Sequence, residues 1–94
     1  MASEIAGVSF HYYDYDERGD TLHLSTCLPR DEAPAKALET PEGHVVEYDE
    51  SGAVVALELL NVRWALQREG EVRLTCPEEH HVSSAALQSA IAAA

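Results

Sequence analysis

Positive charge is what this sequence has least of. Six lysines and arginines stand against seventeen aspartates and glutamates, for a net charge of −11. Nucleic-acid binding rests on Lys and Arg displacing counterions from phosphates. No basic cluster occurs, so nucleic acid is not expected as a partner, whereas a basic protein partner would be favoured by long-range attraction. Cysteine is also scarce: Cys27 and Cys76 are the only two, and they read as reduced thiols rather than a disulfide. No apolar run approaches the roughly 18 residues of a membrane span. The opening MASEIAGVSF lacks the basic start and long apolar stretch of a signal peptide. A cytoplasmic protein without membrane contact is therefore expected. Glycine-rich phosphate loops, Ser-centred nucleophile elbows and kinase motifs are missing too, which leaves no catalytic signature.

The 94 residues that remain to be explained are enough for one domain, residues 1–94, near the lower size limit for a self-supporting core. Residues 1–8 read as a flexible leader. The aromatic-rich SFHYYDY and the alternating TLHLST read as strands joined by DERG. Residues 27–43 hold three of the four prolines and form a long connection, with a short strand near 37–40. HVVEYD and AVVALELLNV are two further strands around ESG. RWALQREG is an irregular link or a helical turn. EVRLTC is a last strand, and VSSAALQSAIAAA predicts a helix over 83–93, with Ser83 as N-cap and a Val82–Leu87 staple. Leu87 and Ile91 fall on one helical face. The expected fold is α+β: an antiparallel sheet of about four to six strands built from hairpins, with one C-terminal helix on one face.

Tyr-Asp-Glu-x-Gly occurs twice, at 15–19 and 48–52. An acidic loop closing on glycine invites a calcium reading, but the first copy fails the EF-hand positions at Arg18 and Ser25. The second matches better, yet its glycine precedes the β-branched run AVVALELL where a helix must begin. Two hairpins of similar build are the simpler account. Asp16 and Asp49 bond turn amides, and Gly19 and Gly52 supply positive φ.

YDERGDTLHL followed by HVVEYDESGAVVALELLNV resembles the YuzE-like small bacterial domain of unknown function, over roughly residues 10–62. The matching positions are Tyr15, Asp16, Asp20 and Leu22, then Val46, Tyr48, Asp49, Gly52, Val55, Glu58 and Leu60. His23, Glu47 and Ala56 depart from that family's usual Tyr, Asp and Gly. The strand and helix of residues 71–93 are an addition. The resemblance implies a small antiparallel α+β domain without established catalysis and an antitoxin-like or partner-binding role. It assigns no functional residues.

Cys76, His80 and His81 have a conceivable zinc spacing, but no close ligand pair accompanies them, and adjacent histidines on an extended chain diverge. No metal or cofactor is expected. Cys76 alternates with Val72 and Leu74 and reads as core rather than nucleophile. Trp64 reads as buried, with an exposed anchor for a partner as the alternative. The strand of AVVALELLNV is apolar on both faces. Val55, Leu57 and Leu59 lie on one, and Val54, Ala56 and Leu60 on the other, extended by Val45. One short helix covers one face only, so Val45, Val54, Ala56 and Leu60 mark an interaction surface. A homodimer is expected there or through a sheet edge, with a basic protein partner as the alternative occupant of the face. The function expected is a non-enzymatic, regulatory protein-interaction module. A small-ligand or metal-binding module is the alternative and a small hydrolase the weaker one.

Overall fold

Leu22 and Leu24 are the apolar members of an alternating run, and both are fully buried. The computed structural model describes residues 3–26, 36–75 and 78–93. The elements in chain order are β1 (Ser3–Ile5), β2 (Val8–Phe10), β3 (Tyr12–Asp16), β4 (Thr21–Ser25), β5 (Lys36–Glu39), β6 (Val45–Tyr48), β7 (Val54–Leu60), α1 (Val62–Glu69), β8 (Glu71–Thr75), β9 (Glu79–Ser83) and α2 (Ser84–Ala93). Five strands form an antiparallel sheet in the order β3-β4-β7-β6-β5, and β1-β2 and β8-β9 are separate hairpins. The fold is α+β, as the sequence predicts. Among the described residues no helix is long and apolar enough to cross a membrane.

One face of the large sheet holds the core. Leu22, Leu24, Val46, Leu57 and Leu59 pack beneath Ile5 and Phe10 of the first hairpin, Val62 of α1, Val72, Leu74 and Val82 of the last hairpin, and Leu87 of α2. The C-terminal helix forms where its pattern places it. Ser83 Oγ accepts from the Ala86 amide at 3.3 Å, Leu87 is fully buried, and Ile91 packs against the core. A ten-residue helix of this kind is marginal in isolation, and burial of this face supplies what alanine propensity cannot.

The structure departs from the sequence reading in four places. Residues 3–8 are not a flexible leader: Ile5 pairs with Val8 across Ala6 and Gly7, whose φ values of 54° and 78° suit a tight hairpin turn. RWALQREG lies within a full helix, α1, closed by Gly70 in the left-handed region at φ 75°. EHHVS, to which the sequence reading assigns no strand, is β9, because Val82 and its partner Val72 bury together, with His80 half-buried beside them opposite Leu74 and His81 exposed on the other side.

The fourth departure concerns β7. A register shift opposite Glu47 and Tyr48 leaves Val55 as an extra residue, since Glu47 pairs with Ala56 but Tyr48 with Val54. Strand alternation resets at that bulge. Val54 therefore returns to the core side, packed with Tyr48, and does not share the outer face with Ala56 and Leu60. Val55 is half-buried.

Candidate functional site

The two acidic turns differ by one residue. In the second, residues 50–52 link Asp49 to Ala53. The Gly52 amide donates to the Asp49 carbonyl at 3.0 Å, the Asp49 amide to the Ala53 carbonyl at 2.9 Å, and Gly52 takes φ 86°. Asp49 Oδ1 accepts from the Ser51 amide (2.8 Å), the Ser51 hydroxyl (2.6 Å) and the Ala53 amide (3.0 Å). This is the type I turn with a left-handed glycine that the sequence predicts. A Cβ at Gly52 would meet nothing within 4 Å, so Gly52→Ala carries backbone strain alone. Its denaturant midpoint should fall by the equivalent of about 1 kcal/mol, and an unchanged midpoint would show that the turn relaxes without loss.

In the first turn residues 17–20 link Asp16 to Thr21. Asp16 bonds the Arg18 amide at 3.0 Å. Gly19, expected at positive φ, is not there; the left-handed residue is Asp20, at φ 49°. The longer loop moves that position one residue on. Gly19 is instead a point of close approach, where a Cβ would lie 3.2 Å from Asp16 Oδ2 and 3.3 Å from Thr21 Oγ1.

The left-handed backbone at Asp20 aims its carboxylate at α1. The helix begins at Asn61, itself left-handed and without a side-chain cap. Asp20 caps it from across the sequence: Oδ1 accepts from the Arg63 amide (2.9 Å) and Oδ2 from the Trp64 amide (3.1 Å). The Tyr15 hydroxyl donates to Oδ1 at 2.6 Å. Burial would raise the Asp20 pKa, but the hydroxyl, the two amides and the nearby Arg63 charge outweigh it and hold the carboxyl below its ordinary value. Tyr15 is pushed up to about 12, by burial first and then by the bond to Asp20 and its charge. Arg63 lies over the Tyr15 ring at 5.0 Å.

A cleft of about 670 Å³ opens beside this helix start, between the β3 edge, α1 and α2. Leu66 and Ile91 give it apolar surface, Asp14 and Glu17 a pair of carboxylates, and Gln67 and Gln88 amides.

The second candidate surface is the outer face of the five-stranded sheet. Cross-strand register sets Asp14, His23, Glu58, Val45 and Glu39 in one row, and Tyr12, Ser25, Ala56, Glu47 and Ala37 in the next. Asp16, Thr21 and Leu60 follow. Glu58 stands at the middle of this face on β7, with Val45, Ala56 and Leu60 half-buried around it, and Tyr12 is exposed toward one edge. The buried side chains of this sheet's strands lie on the opposite side, apart from Thr21, and the hydrophobic core is gathered there.

The remaining expected site residues do not converge. Cys76 lies outside the described residues. His80 and His81 sit on opposite sides of β9; His81 Nδ1 contacts Glu71, and its Nε2 is 3.6 Å from Glu79. Among the described residues no group of three or more His, Cys, Asp or Glu is placed to hold a metal ion. Trp64, expected in the core, is 56% exposed, and Arg68 stacks over its ring at 4.8 Å. Two residues on from buried Val62, it points to the helix's far side.

Two polar contacts have no local signal in the sequence. Glu42 accepts from the Thr75 amide (2.9 Å) and hydroxyl (2.8 Å), tying the β5–β6 turn to the last hairpin. His44 Nδ1 accepts from the Leu60 amide at 3.0 Å. Both join residues distant in sequence, which spacing rules do not reach. No curated protein and no solved structure matches the chain. A family model described as "Protein of unknown function (DUF2283)" matches residues 13–63, from β3 through the first residues of α1, and so encloses Asp20 together with the helix start that it caps. That match spans more than half of the chain, and the protein belongs to this family of unknown function.

Proposed function

We propose that the chain is a non-enzymatic protein-interaction module whose docking surface is the outer face of the five-stranded sheet, and that its partner there is a basic protein. One observation carries this reading. The outer face sets Val45, Ala56 and Leu60 among Asp14, Asp16, Glu39, Glu47 and Glu58, with His23 as the one basic side chain among its described residues. Half-buried apolar side chains interleaved with carboxylates suit a partner that brings both apolar surface and the opposite charge. The carboxylates select the occupant. A second copy on a twofold axis would oppose the same carboxylates to one another, on chains that each carry −11. A lysine- or arginine-rich surface would meet complementary charge. An antitoxin-like role fits such a partner. Within the family we propose the YuzE-like kinship, on the matches at Tyr15, Asp16, Asp20, Tyr48, Asp49 and Gly52.

Zero-length carboxyl-to-amine cross-linking in the native cell tests the reading. Cross-links should join Glu47 or Glu58 to lysines of another protein. The chain has a single lysine, Lys36, so a link from the sheet face to Lys36 of a second copy would identify self-association instead. Cross-links that avoid β6 and β7 altogether would overturn the assignment of this face.

A further inference from the structure

The cleft beside β3 has its own chemistry. Leu66 and Ile91 pack against the core from one side and line the cleft on the other. Asp14 and Glu17 have no hydrogen-bond or ion-pair partner among the described residues. Arg63, the one cation of the lining, stacks on the Tyr15 ring and is not ion-paired to either carboxylate. The site thus offers apolar surface beside two unspent negative charges. That combination fits a side chain with an aliphatic stem and a cationic head. A ligand of the opposite sign would be drawn by Arg63 but opposed by both carboxylates.

We propose that the cleft receives a lysine or arginine side chain from a basic segment of the partner protein. The inference rests on the reading of the chain as an interaction module. The stem lies along Leu66 and Ile91, the charged head reaches Asp14 and Glu17, and the Gln67 and Gln88 amides meet the backbone of the segment. At about 670 Å³ the space exceeds one side chain and admits the residues on either side of it. Asp14 lies at the β3 edge, where the cleft meets the outer sheet face, so one partner can span both surfaces.

The test is an amide-resolved NMR titration of the full chain with the capped peptide Ala-Leu-Lys-Leu-Ala, and in parallel with its Gln-centred counterpart. With the lysine peptide, shifts should saturate and concentrate at residues 14–17, 63–67 and 84–91. Asp14→Asn with Glu17→Gln should weaken binding roughly five- to tenfold, and 0.5 M salt should do the same. Arg63→Gln should strengthen it a few-fold by removing a like charge, which loss of a merely structural side chain would not do. Glu50→Gln, in the turn between β6 and β7, should leave it unchanged. Equal binding of the Gln-centred peptide, shifts confined to β6 and β7, or no saturation at millimolar peptide would each overturn the proposal. None of these outcomes touches the cross-linking result, so the cleft can fail while the sheet face stands.

Discussion

Asp20→Ala should lower the stability of the fold by about 3 kcal/mol, with α1 the element that loosens first. The carboxylate accepts two amides at the start of α1 and the Tyr15 hydroxyl, all at 3.1 Å or less. Loss of an N-cap costs about 0.5–2 kcal/mol, and the part-buried, charge-assisted bond from the Tyr15 hydroxyl adds about 1 kcal/mol. Alanine also takes the left-handed backbone less readily than aspartate. Asp20→Gly separates these terms, because glycine removes the cap but tolerates φ 49°. Asp20→Asn keeps acceptor capacity without the charge and should cost about half as much. Tyr15→Phe removes one donor and should cost about 1 kcal/mol. A cycle combining Tyr15→Phe with Asp20→Ala should therefore be strongly non-additive. Urea midpoints with far-ultraviolet circular dichroism give these values. A loss under 1 kcal/mol for Asp20→Ala would mean that Val62 packing alone seats the helix.

This device shows where sequence reading reached and where it stopped. Leu22, Leu24, Leu57 and Leu59 announce themselves by alternation, because one buried face imposes a period of two. Ser83, Leu87 and Ile91 announce α2 by cap and helical spacing. The G1-type turn at Gly52 follows from local chemistry, since the aspartate and glycine that build it are three residues apart. The first copy of the same motif misleads for a non-local reason. Its left-handed residue is displaced to Asp20 by one added loop residue, and that displacement aims a carboxylate at a helix more than forty positions away. The bulge at Val55 is equally silent, yet it moves Val54 from the outer face to the core and thins the apolar surface to Val45, Ala56 and Leu60. The homodimer expectation drew on that apolar surface. The proposed basic partner draws instead on the carboxylates that the register sets on the same face. Helix α1 reads in the sequence as no more than an irregular link or a helical turn because Val62 alone of its side chains is fully buried. A helix anchored by a distant cap needs little amphipathic signal of its own.

His44 is where acid should first act on the fold. Its side chain is 4% exposed at the start of β6. Nδ1 accepts from the Leu60 amide, so the ring must be neutral there, and its other nitrogen meets the Arg73 backbone. One imidazole thus ties β6 to the end of β7 and to β8. Burial lowers its pKa below 6.5, and the Arg73 bond and Glu42 charge only partly oppose that. The unfolded chain therefore takes up the proton before the folded chain does. The stabilisation is complete above pH 6.5 and is lost as pH falls from 6.5 through the lowered folded value, at a limiting slope of about 1.4 kcal/mol per pH unit. Asp20 and Glu42, whose folded values are lowered, add acid sensitivity only further down, near and below their ordinary values of 3.8 and 4.5. His44→Ala should cost about 3 kcal/mol at pH 7.5, from the cavity and from the two backbone groups left without partners. His44→Gln can present both an acceptor and a donor and should cost less. It should also flatten the decline of urea midpoint between pH 6.5 and 5.5 relative to the unaltered chain. The other histidines cancel in that difference. If His44→Gln kept the full slope, the acid response would belong to another group, and His44 would be a packing residue only.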